Sequence, residues 1–178
     1  MEAKQPRYRV YSDALKEKYG GKVYRLPVNL PVTCPNRASG GGCAYCSPKG
    51  AGFESLSPTL SVQEQLAQNS AYIGKKYHAD KFIAYFQNYT NTYLPPVDFA
   101  AAVREAASAP GVVELAVSTR PDCIAKPYLD ILADAQQKFG VEITVELGLQ
   151  TANYKTLSLL GRGHSLAEFA DARLAILP

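Results

Sequence analysis

Three of the four cysteines lie within a short stretch of the sequence, at a spacing that suits metal chemistry. Cys34, Cys43 and Cys46 form the pattern C-x8-C-x2-C, with three glycines at positions 40–42 between the first two. Cysteines two residues apart can chelate one metal centre, and glycines let the backbone adopt positive φ and wrap around a bulky group. A 4Fe–4S cluster is held by cysteine thiolates. Three local cysteines would leave one of its four irons open to a ligand that is not protein.

Three other interpretations of these cysteines stay open. Zinc prefers four ligands in a closed structural site, and the fourth would have to be Cys123 or one of the two histidines, His78 and His164. A thioredoxin-like redox pair at the last two cysteines of the pattern would require the motif to open a helix, which the following proline and glycine disfavour. The cysteines could also be buried structural residues, although a glycine-rich loop is a poor core segment.

The composition is typical of one ordinary globular domain. The chain has 178 residues, of which 47% are apolar and 20% charged, and it is long enough to bury a substantial core. No apolar run approaches the roughly 18–20 residues of a membrane-spanning helix, and the first ten residues lack the apolar stretch of a secretory signal. Four cysteines are too few for a disulfide scaffold. We therefore expect a cytoplasmic protein without membrane contact.

Short apolar strands alternate with longer helical segments along the chain. The pattern predicts strands at 23–30, 81–87, 112–118 and 141–149, and helices at 61–77, 96–109 and 127–139, with two short helices after them. Ser61 with Glu64, and Ser165 with Glu168, have the spacing of capping boxes, and Gly140 is placed to end a helix. Strands that recur about every 30 residues are typical of βαβ units in a parallel sheet.

The strand spacing is shared by open doubly wound sheets and by barrels. Four parallel strands cannot close a barrel, because closure at the usual strand tilt requires more of them. The sequence therefore predicts either an open sheet or a part of something larger.

Positive charge is concentrated at the start of the chain. Residues 1–25 carry seven Lys or Arg against three acidic residues, whereas the rest of the chain has 12 basic and 13 acidic residues. Tyrosines are interleaved with these basic residues, so the segment could contact RNA through phosphates and stacking. The alternative is an amphipathic helix that covers the bottom of a barrel.

Four motifs in order resemble those of the radical S-adenosylmethionine (SAM) superfamily. They are CPNR…GGCAYCSPKGAGF at 34–53, YFQNYTNTY at 85–93, STRPDC at 118–123 and VELGLQT…LLGRGHS at 145–165. Within that superfamily, the chain resembles the YhcC-like proteins. This resemblance extends from Tyr8 to about Ile176. The long first cysteine spacing is similar to that of the related elongator catalytic subunit branch.

The resemblance implies a fold and a domain organisation. It implies an α/β parallel (βα) partial TIM barrel of the radical SAM type, apparently truncated after about four βα units. Residues 1–178 would form one radical SAM core domain, incomplete at its C-terminus, with a basic extension at 1–22. Ligands of parallel α/β folds bind at the carboxyl ends of the strands, where all four motifs are predicted to lie.

The resemblance also implies cofactor ligands. Cys34, Cys43 and Cys46 would bind three irons of a 4Fe–4S cluster, and SAM would chelate the fourth iron. The remaining candidate SAM contacts are Tyr45 near the adenine, Gln87 at the amino group, Ser118 and Gln150 near the ribose, and Arg162 at the carboxylate. Three of them have a structural alternative: a turn at the strand end for Gln87, packing at the barrel rim for Tyr45 and a solvated side chain for Arg162.

The implied activity is reductive cleavage of SAM. An electron from a donor such as flavodoxin or ferredoxin would pass through the cluster to SAM, and the resulting 5′-deoxyadenosyl radical would abstract hydrogen from an unknown substrate. The cofactors carry such chemistry, so no side chain is assigned as a general base. The elongator-like motifs favour tRNA or another RNA as the substrate. The alternative function is a non-catalytic iron–sulfur or zinc-binding module.

Overall fold

All four strands of the sheet run parallel and lie side by side in the order in which they occur along the chain. The computed structural model describes residues 7–47, 50 and 55–177. The strands are β1 (Val23–Val28), β2 (Lys81–Phe86), β3 (Val112–Thr119) and β4 (Glu142–Leu147), paired β1-β2-β3-β4. A doubly wound sheet reverses its strand order at a switch point. The unreversed order instead indicates a partial TIM-like barrel, which confirms the predicted α/β class.

Seven helices are described around this sheet. They are α1 (Tyr11–Tyr19), α2 (Pro35–Ala38), α3 (Val62–Tyr77), α4 (Pro96–Ala107), α5 (Lys126–Phe139), α6 (Tyr154–Leu159) and α7 (Leu166–Ile176). Short 3-10 turns follow β2 at Asn91–Tyr93 and β3 at Pro121–Cys123. Among the described residues, no helix is both long enough and apolar enough to span a membrane.

Both predicted capping boxes are present at helix starts. The side chain of Ser61 accepts from the backbone N–H of Glu64, and the Glu64 carboxylate accepts in return, with the same reciprocal pair at the start of α7. These bonds satisfy N–H groups that have no partner within a helix. Gly140 ends α5 in the left-handed region at φ 67°, as predicted.

Strands β1 and β4 each end two residues before their predicted carboxyl ends, and β2 ends one residue before its own. The backbone N–H of Asn29 donates to the side chain of Gln65 at 2.8 Å, which ends β1 at position 28. Beyond β4, the N–H of Gly148 continues the pairing by donating to the Thr119 carbonyl at 3.1 Å. The chain then turns, since the N–H of Leu149 donates to the Leu147 carbonyl at 3.1 Å and Gln150 has φ 70°. These deviations lie at the carboxyl ends of the strands, where loops must diverge.

The main core lies between the sheet and helices α3, α4 and α5. Alternate residues of each strand face it, as a period of two requires. Its fully buried side chains include Leu26, Val28, Phe86, Leu115 and Val117 from the strands and Phe99 from α4. Packing in this core holds the sheet in place, and the sheet in turn determines where the loops after its strands begin.

The opposite face of the sheet is partly covered by α1 at the amino ends of the strands. Leu15 packs there against Ile83 and Ala116. The hydroxyl of Tyr19 donates to the buried carboxylate of Glu114 at 2.6 Å. Burial, assisted by this hydrogen bond, raises the pKa of Tyr19 to about 12. The helix interpretation therefore holds for residues 11–19, and contact of the segment with RNA stays a prediction; residues 1–6 lie outside the described residues.

Candidate functional site

One cavity at the carboxyl ends of the strands gathers the residues selected from the sequence. It has a volume of about 430 Å³. All eight predicted site residues line it: Cys34, Cys43, Cys46, Tyr45, Gln87, Ser118, Gln150 and Arg162. They come from the loop after β1, the segment after β2, the end of β3 and the segments after β4, so this position matches the general rule for ligand sites in parallel α/β folds. The roles predicted for the individual residues stay predictions.

The cysteine loop is folded tightly over this cavity. Cys34 precedes the single turn of α2, and the N–H of Cys46 donates to the carbonyl of Cys43 at 2.9 Å across a turn. Gly42 has φ 86°, a conformation that favours glycine. Residues 43–47 form a turn and not the start of a helix, so the geometry expected for a thioredoxin-like pair is not formed. Positions 48, 49 and 51–53 of the loop motif lie outside the described residues.

Hydrogen-bond donors lie beside the sulfur atoms of Cys43 and Cys46. The side-chain amide of Asn36 donates to the sulfur of Cys43 at 3.1 Å, and Arg162 Nη1 lies 3.5 Å from the same atom. Arg37 Nη2 lies 3.5 Å from the sulfur of Cys46. Positively charged groups and N–H donors stabilise thiolate, which is the form that binds metal.

The three thiols share the cavity without converging on one point. Within the described ranges, no group of three or more His, Cys, Asp or Glu side chains is close enough to hold a metal ion. A single zinc ion needs its thiolates about 2.3 Å from one centre, and the described side chains do not provide that arrangement.

Cys123 lies outside the cavity lining, at the end of the 3-10 turn after β3. Burial, together with the neighbouring Asp122, raises the pKa of its thiol to about 11. A raised pKa disfavours the thiolate, which is the form that binds metal.

The segment after β2 joins two strand ends beside the cavity. Gln87 lies at the cavity wall, and the buried amide of Asn91 donates to the carbonyls of Phe86 at 2.7 Å and Ser118 at 2.8 Å. Tyr89, which also lines the cavity, has φ 58°. Such a conformation is strained for a residue with a side chain, and strain of this kind concentrates at functional sites. Sequence analysis did not identify Asn91, although a run of polar residues directly after a strand was a usable signal.

The carboxylate of Glu146 on β4 lines the cavity and binds three neighbouring side chains. Glu146 accepts hydrogen bonds from Ser118 at 2.9 Å and Tyr85 at 2.8 Å, and it pairs with Arg25 at 3.0 Å. Burial by itself raises the pKa of this carboxyl, but the two hydrogen bonds and the guanidinium charge outweigh it and hold the pKa below its usual value. Ser118 thus directs its hydroxyl proton to Glu146 and keeps its oxygen as an acceptor.

Arg162 is buried and joins the cysteine loop to the end of β4. Its guanidinium donates to the hydroxyl of Tyr45 at 2.9 Å and to the carbonyl of Gly148 at 2.6 Å. Its Nε lies 3.2 Å from the ring of His164. The alternative of a solvated Arg162 is therefore wrong, since only 8% of the residue is exposed. Gln150, at the same rim, is held in the left-handed region.

Arg120 fastens a second loop against the cysteine loop. Its guanidinium forms a bidentate pair with Asp122 at 2.9 and 2.6 Å and also donates to the side-chain oxygen of Asn36. Planar guanidinium groups suit such two-point contacts. This salt bridge holds the start of the loop after β3.

The fold of the chain is similar to that of a solved elongator-type protein. A structure of Elp3 from the archaeon Methanocaldococcus infernus, with residues 1–46 deleted, matches 84% of this chain and 34% of that chain, with a TM-score of 0.54. The sequence identity is 19%, so the likeness concerns the fold alone. The parallel sheet and this neighbour together define a partial TIM-like barrel.

The sequence is similar to that of several curated proteins. It is 35% identical to protein YhcC of Escherichia coli strain K12 over 161 residues, which is 89% of the chain and 50% of YhcC. It is 33% identical to an uncharacterized protein of Methanocaldococcus jannaschii over 170 residues, which is 91% of the chain and 50% of that protein. The chain thus spans about half the length of these relatives. No model of a known protein family matches it.

Proposed function

We propose that this chain is a radical SAM enzyme that holds a 4Fe–4S cluster through Cys34, Cys43 and Cys46 and binds SAM beside it. The observation that carries the proposal is the single cavity at the carboxyl ends of the strands, lined by these thiols and by all the polar residues selected for SAM. The four ordered motifs support the same function.

The donor set has the chemistry of an iron–sulfur site. Cysteine thiolates are the usual ligands of such clusters, and in a cubane each cysteine binds a different iron. The three thiols line one cavity, which is compatible with that arrangement. N–H donors beside the sulfurs of Cys43 and Cys46 favour bound thiolate.

The side chains would bind and orient SAM. When bound, the cluster and SAM would supply a 5′-deoxyadenosyl radical for hydrogen abstraction, with the electron provided by a flavodoxin or ferredoxin. Arg162 carries planar donors suited to a carboxylate, and the amide oxygen of Gln87 can accept from an amino group. The oxygen of Ser118 and the amide of Gln150 line the same cavity as Tyr45, and they would contact the ribose hydroxyls of SAM.

Formation of 5′-deoxyadenosine tests this proposal. The protein is reconstituted anaerobically with iron and sulfide, reduced with dithionite and incubated with SAM, and the products are separated by chromatography. We expect 5′-deoxyadenosine and methionine to appear only with the reductant. A reconstituted cluster that yields no 5′-deoxyadenosine would contradict the proposal and favour the non-catalytic iron–sulfur module. Binding of zinc without any cluster would contradict it as well.

A further inference from the structure

Resting on the proposed function, we propose that Arg37 and Asn36 raise the reduction potential of the cluster by donating hydrogen bonds to the sulfur atoms of Cys46 and Cys43. Both are positioning residues, because they act through the cysteines and not on SAM or the substrate. They directly follow Cys34 and Pro35 and were not singled out by the sequence analysis.

The guanidinium of Arg37 is held against Cys46 by several contacts. Its Nη2 lies 3.5 Å from the sulfur and 3.2 Å from the carbonyl of Cys46, and it also donates to the carbonyl of Ser47. The ring of Tyr89 lies 5.4 Å from its central carbon. A Cβ on Gly42 would lie 3.2 Å from its side chain, so the glycine leaves room for the guanidinium.

The positive charge of Arg37 lies beside the sulfur of Cys46. Within the part of the chain that the structure describes, no carboxylate forms an ion pair with Arg37. By contrast, Arg120 is neutralised by Asp122 at 2.6 Å. The charge at Arg37 therefore acts directly on whatever negative charge the sulfur of Cys46 carries.

The orientation of the Asn36 amide is fixed by its other contacts. Its oxygen accepts from Arg120, and its nitrogen donates to the Gly161 carbonyl and, at 3.1 Å, to the sulfur of Cys43. Since a guanidinium can only donate, the amide oxygen must face Arg120. The N–H groups consequently face the sulfur.

The direction of the effect follows from electrostatics. Reduction adds negative charge to a cluster, and hydrogen bonds to the sulfurs and nearby positive charge stabilise the reduced form. Arg37 contributes a full charge as well as a donor, whereas Asn36 contributes a donor only. Removing Arg37 should therefore lower the potential more than removing Asn36.

An anaerobic redox titration of the reconstituted protein tests this inference, with the reduced cluster followed by electron paramagnetic resonance. At the midpoint of the unaltered protein, we expect Arg37→Gln to lower the ratio of reduced to oxidised cluster about tenfold, which for one electron is about 59 mV. Asn36→Ala should lower the ratio about threefold, a smaller effect because only a neutral hydrogen bond is lost. The Arg37→Lys protein should have a midpoint potential close to that of the unaltered protein, because lysine keeps the positive charge.

Arg104→Gln on α4 is the matched control, since it removes the same charge away from the cavity and should leave the midpoint unchanged. Unchanged midpoints in Arg37→Gln and Asn36→Ala variants that retain full iron would overturn the inference. If the Arg37→Gln protein loses its iron, the midpoint of the Asn36→Ala protein becomes the test. A lowered midpoint in the Asn36→Ala protein supports the inference, and an unchanged midpoint overturns it. Failure of the proposed function would differ from both results, because it would be seen in the unaltered protein, either as the absence of a cluster or as a cluster that yields no 5′-deoxyadenosine.

Discussion

Cys43→Ser is expected to lower the iron and sulfide bound per chain after anaerobic reconstitution by about tenfold or more, since even residues that only support metal ligands contribute 10–100-fold to affinity. Cys43 is nearly buried in the cavity wall, and two N–H donors, from Asn36 and Arg162, point at its sulfur. A serine hydroxyl is a poor substitute for a thiolate and leaves those donors without a soft, charged acceptor. Iron and sulfide assays with the visible absorption spectrum measure the effect.

Cys123→Ser is the matched control for this experiment. Cys123 lies outside the cavity lining, and burial raises the pKa of its thiol to about 11, which disfavours the thiolate form that binds metal. The Cys123→Ser protein should take up as much iron as the unaltered protein. Full iron in the Cys43→Ser protein, or an equal loss in both variants, would contradict the ligand assignment.

Phe86→Ala is expected to lower the free energy of unfolding by about 3–5 kcal/mol, the usual cost of truncating a buried Phe. Phe86 is the last residue of β2, and its ring is fully buried in the core on the helical face of the sheet. Its carbonyl also accepts from Asn91, which joins the ends of β2 and β3 at the cavity. Because domains are stable by only about 5–15 kcal/mol, this change should affect both the fold and the site.

Urea unfolding followed by circular dichroism measures this loss, provided that the slope with urea is unchanged. Tyr72→Ala on α3 is the control, because Tyr72 is exposed and surface substitutions usually change stability by about 0.5 kcal/mol or less. A loss below about 1 kcal/mol for Phe86→Ala would contradict the described packing of β2.

Regular elements could be predicted from the sequence because their signals are local. Short apolar runs between helical segments located all four strands, and the Ser61 and Ser165 capping boxes located two helix starts. Strand ends were less accurate, since they depend on distant partners such as Gln65, which takes the N–H that would have extended β1. The choice between a barrel and a doubly wound sheet required the strand order, which spacing does not encode.

The cavity residues could be predicted because motif order places them after successive strands. Their supporting contacts could not, since they join residues far apart in sequence. Asn36 contacts Gly161, and Ser118 and Tyr85 meet at Glu146. Arg162 was predicted on the cavity, but its burial against Tyr45 depends on how the cysteine loop folds. Such contacts arise from tertiary packing and leave no periodic trace in the sequence.

The central claim is that three cysteines hold a 4Fe–4S cluster whose remaining iron binds SAM. Electron paramagnetic resonance of the anaerobically reconstituted, dithionite-reduced protein, recorded with and without SAM, tests it most directly. We predict a 4Fe–4S signal that changes shape when SAM is added, because SAM becomes a ligand of the open iron. A protein that forms no cluster, or a cluster signal that SAM leaves unchanged, would contradict the claim.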